Sequence, residues 1–413
     1  MGPIRVLYYE YPGPGLGGSR RSLLNLLRGL DGEVEAYVVG NLPEEVAQAL
    51  PKKATLAQPS YAWPPEPGRQ LSLFEWNLRW WYYFLSMAIR LAFLIVRRGI
   101  HVVHVNNDAT SGAPAILAAI ITRRLCVCHL RGTEPPWRET RWLFRHVDHY
   151  IAISDHVREY YALQHLLDGA SVSVIFNGVD VKDLGECTRT GSVPPSDCFT
   201  ACMLGRLIEY KGCEYFLEVA REAASRHTGG EFAIYAPVPE PGEPNRSYYE
   251  RLCEIRRLHG LEKRVRFVGP YSDVAEVLRG VDAVLCCSPF DNFGRILFEA
   301  MACGVPVVAF DSGGTREVGV SGQNCLLVPN RDVSAMAEAL HRLITDKSLR
   351  DNIVRGGRET ARQLFDYKAN AHKVLAVYQQ LLASQPRGSR PVCENGRQDT
   401  TGTMSPGHES QCH

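Results

Sequence analysis

Residues 283–310 read AVLCCSPFDNFGRILFEAMACGVPVVAF. An apolar run from Ala283 stops at Ser288-Pro289, a helical stretch opens at Gly294 and ends at Gly304, and a second apolar run begins at Val307. Two β-rich apolar runs flanking one helix are the pattern of a βαβ crossover, whose parallel strands are covered on both faces and so lack polar alternation. The same alternation extends outward through CFTACMLG, EFAIYAP and RVRFVGP. It recurs at the start of the chain in IRVLYYEY, EVEAYVVG, HVVHVNN, LCVCHLRG, HYIAIS and SVSVIF. The two blocks are separated by VKDLGECTRTGSVPPSD, which has no apolar periodicity and carries Pro194-Pro195. The expected fold class is therefore α/β: two doubly wound Rossmann-like domains facing a cleft. The first spans 1–190 and the second 197–365, followed by a closing helix over 366–383 and a polar, disordered tail over 384–413.

Composition narrows the function. In 413 residues, 46 Lys+Arg balance 45 Asp+Glu, a net charge of +1, which argues against a nucleic-acid partner bound by bulk positive charge. The opening MGPIRVLYYE is strand-like and lacks a signal-peptide core, so the 13 cysteines point to a reducing, cytoplasmic setting. Cys126-Val127-Cys128-His129 resembles half a metal cluster, but no second ligand pair follows at zinc spacing, and no metal site is expected.

One segment concerns membranes. Trp80–Val96 reads WWYYFLSMAIRLAFLIV, shorter than the ~20 apolar residues of a spanning helix and interrupted by Arg90. From Arg79 to Arg145 there are ten arginines against three acids, Asp108, Glu134 and Glu139. Segment 79–98 is expected either to lie on an anionic membrane surface, at the inner face of the plasma membrane, or to pack on its own domain.

Three loops carry the chemistry, all at the C-terminal ends of strands, where open α/β sheets bind ligands. Gly13-Pro14-Gly15-Leu16-Gly17-Gly18 fits the spacing G-x-G-x-x-G, yet strand two ends Val38-Val39-Gly40-Asn41 without the acid a dinucleotide ribose needs. No NAD or flavin cofactor is expected; a glycine-rich approach to a phosphate, or a purely structural turn, remains. Gly205-Arg206-Leu207-Ile208-Glu209-Tyr210-Lys211-Gly212 places two cations at a strand-to-helix turn, suited to a diphosphate. Asp291-Asn292-Phe293-Gly294 precedes a helix whose second turn carries Glu299, so two carboxylates can face one pocket and accept hydrogen bonds from hydroxyls. Carboxylate pairs also serve glycoside hydrolysis, but that chemistry needs no phosphate loops.

These residues resemble family 4 retaining glycosyltransferases of the GT-B fold. The resemblance covers residues 4–382 and rests on Gly205–Gly212 (G-R-L-x-x-x-K-G), Phe293-Gly294 with Glu299-Ala300-Met301-Ala302, Gly304, Pro306-Val307-Val308, and Gly313-Gly314-Thr315-Arg316-Glu317. In the first domain it rests on Gly17-Gly18, the strand before Asn106, Ile153-Ser154 and Asn177-Gly178-Val179-Asp180. It implies a hexosyltransferase acting on a nucleoside-diphosphate sugar as substrate, with a glycan, lipid-linked or small-molecule acceptor. It implies that Arg206 and Lys211 hold the diphosphate, and that Glu299 binds the ribose. Gly205, Asn292, Phe293 and Gly294 would line the donor, with Gly17 and Gly18 opposite. Asp291, one methylene shorter than the family's Glu, would meet sugar hydroxyls, and His129 would lie near the sugar, with Leu130 where an acid usually follows. Cys325 stands where a Gly is common. No D-x-D sequence is present to hold a metal on the diphosphate, so the transfer is expected to be metal-independent and without a cofactor. The alternatives are a sugar-nucleotide isomerase or hydrolase on the same scaffold, a noncatalytic nucleotide-sugar-binding protein, and a dinucleotide oxidoreductase.

Overall fold

The computed structural model describes residues 3–10, 18–40, 42, 44–57, 73–185, 199–226, 229–271 and 273–384. The tail from residue 385, the linker 186–198 and Gly17 lie outside the described residues. The first half runs β1 (Ile4–Tyr9), α1 (Gly18–Gly29), β2 (Val34–Val39), α2 (Glu44–Gln48), β3 (Thr55–Leu56), α3 (Leu73–Arg98), β4 (Val102–Val105), α4 (Ala113–Thr122), β5 (Leu125–Leu130), β6 (His149–Ala152), α5 (Asp155–Ala162), β7 (Ser171–Val174) and α6 (Val181–Gly185). The second runs β8 (Thr200–Leu204), α7 (Cys213–Arg226), β9 (Glu231–Tyr235), α8 (Arg246–Leu258), β10 (Val265–Phe267), α9 (Val274–Arg279), β11 (Ala283–Cys286), α10 (Arg295–Cys303), β12 (Val307–Phe310), α11 (Thr315–Val318), β13 (Leu326–Val328), α12 (Val333–Thr345), α13 (Lys347–Leu364) and α14 (Tyr367–Ser384).

The strands form two sheets, ordered β3-β2-β1-β4-β5-β6-β7 and β10-β9-β8-β11-β12-β13, with every pairing parallel. The order reverses between β1 and β4 in one sheet and between β8 and β11 in the other, which opens a crevice at the carboxyl ends of those strands. All four residues of β4 and of β12, and all six of β5, are buried, which is why their sequences read as unbroken apolar runs. Two strands went unread in the sequence, β3 with two residues and β13 with three.

The halves share an apolar seam. Phe176, at the end of β7, stacks on Phe293 with centroids 5.1 Å apart; Phe293 meets Phe298 at 5.3 Å, and Phe298 meets Phe365 at 4.7 Å. The chain then crosses back. The Val179 amide donates to the Phe365 carbonyl (2.8 Å) and the Tyr367 amide to the Val179 carbonyl (3.1 Å), after which α14 packs on α1 of the first domain. There the Tyr378 hydroxyl lies 2.6 Å from His104 Nδ1, in a fully buried site that lowers the His104 pKa to about 3 and keeps the ring neutral.

Helix α3 settles half of the membrane question. Trp80 and Phe84, part of the aromatic cluster at its start, turn into the core and stack at 5.2 Å. Met87, Leu91 and Ile95 continue that buried face. No helix among the described residues is long and apolar enough to cross a membrane.

The crossing at Gly178 leaves no room for a side chain: an added Cβ would overlap the Tyr367 backbone and lie 2.7 Å from its Cβ. Gly178→Ala should therefore cost about 1–3 kcal/mol by overpacking, read as a lowered thermal midpoint. An unchanged midpoint would show that the crossing yields.

Candidate functional site

The loop after β8 is built around Lys211. A 3-10 turn, Glu209–Lys211, ends at Gly212 with φ +75°, where any Cβ would collide with the Cys287 carbonyl. The loop is thereby seated directly on the end of β11. Ser288 Oγ donates to the Tyr210 carbonyl (2.7 Å), and Ser312 Oγ donates to the Ser288 carbonyl (2.9 Å). Gly313, at φ +49°, passes so close to Asp291 that a Cβ would lie 2.9 Å from its carbonyl carbon; the Gly314 amide donates to the Asp291 carbonyl (3.0 Å). Three strand ends are thus knitted into one floor.

On that floor Lys211 Nζ lies 3.3 Å from Asp291 Oδ2, both side chains largely but not wholly covered. Burial alone would lower the lysine pKa; the Asp291 carboxylate and the Tyr210 hydroxyl outweigh it, and the net direction is up. The ammonium therefore stays charged at ordinary pH. Arg206 is exposed and donates to the Tyr210 hydroxyl at 2.7 Å, so both cations share one aromatic prop.

Helix α10 begins after Gly294, which directs its first-turn N–H groups toward the same crevice. Phe293 is a seam residue, 5% exposed. Glu299 is 6% exposed and receives Arg295 Nη2 at 2.7 Å and Nε at 3.1 Å, both on Oε1. Arg295 continues to the first domain, donating to the Gly18 carbonyl and to Ser22 Oγ, each at 3.2 Å. Asn292 is held from the first domain as well: Thr133 Oγ1 donates to its side-chain oxygen (2.8 Å) and Ser154 Oγ to its carbonyl (3.0 Å).

The structure thus brings together Gly205, Arg206, Lys211, Asp291, Asn292, Phe293, Gly294, Glu299 and, through Arg295, Gly18. Gly17 lies outside the described residues. His129 sits apart from this group. It is 3% exposed, on the face of β5 opposite Cys126 and Cys128, with its ring 5.5 Å from His104 and its Nδ1 3.3 Å from Arg131 Nη2. Burial first, then Arg131 and His104, push its pKa well below 6.5. Its Nε2 finds no hydrogen-bond partner among the described residues. Cys126 and Cys128 are buried on the other face of the strand.

Sequence reasoning missed a buried charge system under the first switch point. Glu10, 1% exposed at the end of β1, is bonded by Asn106 and, at 3.2 Å, by Asn107 and Ser19; its pKa is raised by burial, against the pull of those bonds and of Arg131. Arg131 donates to the Asn106 carbonyl (2.9 Å) and to Asn177, and burial lowers its pKa to about 9. A lone acid closing an apolar strand was the available signal for Glu10. For Arg295 it was the four-residue spacing to Glu299.

Glu317, noted in the sequence only as the end of a motif, caps a helix of the other domain. Its carboxylate accepts the Asp155 amide (2.8 Å) and the His156 amide (2.6 Å), while Ser154 caps the Val157 amide (3.1 Å). Burial raises the Glu317 pKa despite these two bonds.

Residues 16–183 match the model of Glycosyltransferase Family 4, and residues 198–346 that of Glycosyl transferases group 1. The chain is 30% identical over 216 residues to the lipopolysaccharide core biosynthesis glycosyltransferase LpsE of Rhizobium meliloti, covering 50% of this chain and 59% of that protein. It is 29% identical over 267 residues to the phosphatidyl-myo-inositol mannosyltransferase of Mycobacterium leprae, covering 64% and 66%. The chain thus spans roughly three fifths of the length of these curated relatives. Among solved structures, a glycosyltransferase from Rickettsia africae superposes with a TM-score of 0.74 at 18% identity, over 93% of this chain and 100% of that one. Anabaena HepE in complex with UDP and glucose gives 0.69 at 19%, over 91% and 100%. At such identities these likenesses speak for the fold.

Removing the interdomain cap with Glu317→Ala should cost about 1 kcal/mol and loosen the seam, because two helix N-terminal amides lose a charged acceptor. Glu317→Gln, which keeps an acceptor but no charge, should fall between. Thermal midpoints and the radius of gyration from small-angle scattering check this; a compact, fully stable Glu317→Ala variant would show that the cap is redundant.

Proposed function

This chain belongs to the family 4 glycosyltransferases of the GT-B fold, and from that premise we propose that it moves a sugar from a nucleoside-diphosphate sugar to an acceptor hydroxyl, with retention of configuration and without a metal ion. The observation that carries the proposal is the Lys211–Asp291 pair, an ammonium and a carboxylate 3.3 Å apart at a topological switch point, with Arg206 and the first turn of α10 beside it. Cleaving the donor releases negative charge on the β-phosphate. Fixed cations and helix N–H groups meet that charge as it develops and need no rearrangement to do so. Asp291 holds the ammonium in place and offers oxygen acceptors to sugar hydroxyls. Glu299, with Arg295 anchored on Oε1, presents Oε2 to the ribose diol. Gly18, tied to Arg295 through its carbonyl, closes the donor side from the first domain.

The leaving phosphate can itself take the proton of the incoming hydroxyl on the same face, which fits the absence of a strong general base among the candidate residues. His129 enters this scheme as a positioning residue: it braces Arg131, which braces Asn106 and the end of β4. The names of the relatives, a lipopolysaccharide core enzyme and a phosphatidyl-inositol mannosyltransferase, support a lipid-linked or glycan acceptor and a role in polysaccharide assembly. The HepE complex with UDP and glucose supports a nucleoside diphosphate as the leaving group.

A thermal-shift screen of UDP-, GDP- and ADP-sugars should identify the donor, since a ligand that binds the folded state raises its midpoint by mass action. With that donor, NMR of the product should show the donor's anomeric configuration, and EDTA should leave the rate unchanged. An inverted product, or activity lost in EDTA and restored by Mg²⁺ or Mn²⁺, would overturn the proposal.

Lys211→Ala should lower kcat by two to three orders of magnitude, equivalent to about 3–4 kcal/mol, with a smaller effect on donor affinity. The pH profile tests its partner. Wild type should show no alkaline limb from Lys211 below its ordinary pKa of 10.5, because Asp291 holds that pKa up. In Asp291→Asn the carboxylate's raising effect is gone, leaving burial opposed mainly by Tyr210, so kcat/KM should fall overall and acquire an alkaline limb at lower pH. An Asp291→Asn profile that superposes on wild type would remove Asp291 from the site.

A further inference from the structure

Helix α3 is apolar on two sides. Its buried side, Trp80 through Ile95, belongs to the first domain's core. On the opposite side Leu78, Tyr82, Leu85, Ile89, Phe93 and Val96 are 48–75% exposed. Their spacings of four, three, four, four and three residues keep them on one face, a stripe roughly 27 Å long at 1.5 Å per residue. Soluble proteins scatter exposed apolar residues singly; a continuous row of six large ones marks a surface that is covered in use.

What covers it is indicated by charge and shape. Arg79, Arg90 and Arg97 are exposed and separated by 11 and 7 positions, close to whole numbers of turns, so they line one edge of the stripe along its length. α3 packs on α4, and α4 on the 3-10 turn Arg141–His146, so the surface continues there. Trp137 and Trp142 are 43% and 42% exposed in that neighbourhood, with Arg138, Arg141 and Arg145 exposed beside them. The chain as a whole is neutral, at +1, so this concentration of one sign is local. An apolar ridge bordered by arginines and by tryptophans matches a flat anionic surface with an apolar interior.

We propose that the exposed face of α3 is a docking surface for an anionic lipid bilayer. The helix lies in the plane of the headgroups, its stripe enters the acyl boundary, and Arg79, Arg90 and Arg97 meet lipid phosphates. The inference rests on α3 and its neighbours alone and is independent of the transfer reaction.

The full chain should co-float with vesicles of phosphatidylcholine containing about 30% phosphatidylglycerol, and not with phosphatidylcholine alone. A Tyr82→Ser, Ile89→Ser, Phe93→Ser triple variant should lose flotation while keeping its thermal midpoint, since all three side chains are already exposed. An Arg79→Gln, Arg90→Gln, Arg97→Gln variant should bind about a hundredfold more weakly, at roughly fivefold per arginine. Wild-type binding should fall as salt rises, because the headgroup charge is screened. Absence of wild-type flotation, or flotation unchanged in the serine variant, would overturn the proposal. So would a dimer in light scattering that the serine variant dissociates, since the face would then be covered by a second copy.

Discussion

Asn292 is fixed by a domain to which it does not belong. Thr133 and Ser154, both on loops of the first sheet, hold its side chain and its carbonyl, and the residues on either side of it are Asp291 and Phe293. The loop that positions the carboxylate beside Lys211 therefore depends on how the two halves meet. The halves meet as they do because the aromatic ladder from Phe176 to Phe365 provides a dry contact directly beneath that loop. Offset stacking of this kind contributes about 0.5–1.5 kcal/mol per pair beyond the area it buries. Glu317 adds a directional constraint, since a carboxylate that accepts two successive helix amides fixes orientation as well as distance.

The first switch point answers the second with a different kind of chemistry. Lys211 and Asp291 retain partial exposure, as groups that exchange partners need to. Glu10 is sealed under the crevice, Arg131 is largely covered, and their partners include Asn106, Asn107, Asn177, Ser19 and Arg20. Buried ions of opposite sign rarely add net stability, because desolvation offsets their attraction. What they do here is join the ends of β1, β4 and β5 to the loop after β7 at Asn177 in one hydrogen-bonded unit. That rigidifies the wall opposite the second domain.

Much of this was legible in the residues. Most of the eleven strands read from the sequence were legible because parallel strands covered on both faces write themselves as largely apolar runs; β3 and β13 were missed. The loops from Gly205 and from Asp291 could be placed because glycines beside cations and acids are hard to explain as packing. For His129, a strand-end histidine looks the same in sequence whether it faces the crevice or the helix layer, and strand parity alone does not decide between them. Glu10, Arg131 and Arg295 escaped notice because each is a single charged residue with a defining partner tens or hundreds of positions away; only folding brings Asn106 to Glu10 or Gly18 to Arg295. On α3, composition showed an apolar helix with arginines, but only the fold separates Trp80, which is core, from Tyr82, which is surface.

The closing helix has a bearing on how the molecule comes into being. α14 packs beside Leu23, Leu26 and Leu27 of α1 over the side of the first sheet that carries Tyr8, and Tyr378 reaches that tyrosine, 370 positions earlier in the chain. On the ribosome, at roughly 5–20 residues per second, the first domain would be fully synthesised for about ten seconds or more before that cover emerges. During the interval an apolar sheet face stays open while the second domain folds beside it. The N-terminal half is thus the first part made and the last part finished, and cutting the chain at its linker would leave the first piece without the helix that closes its core.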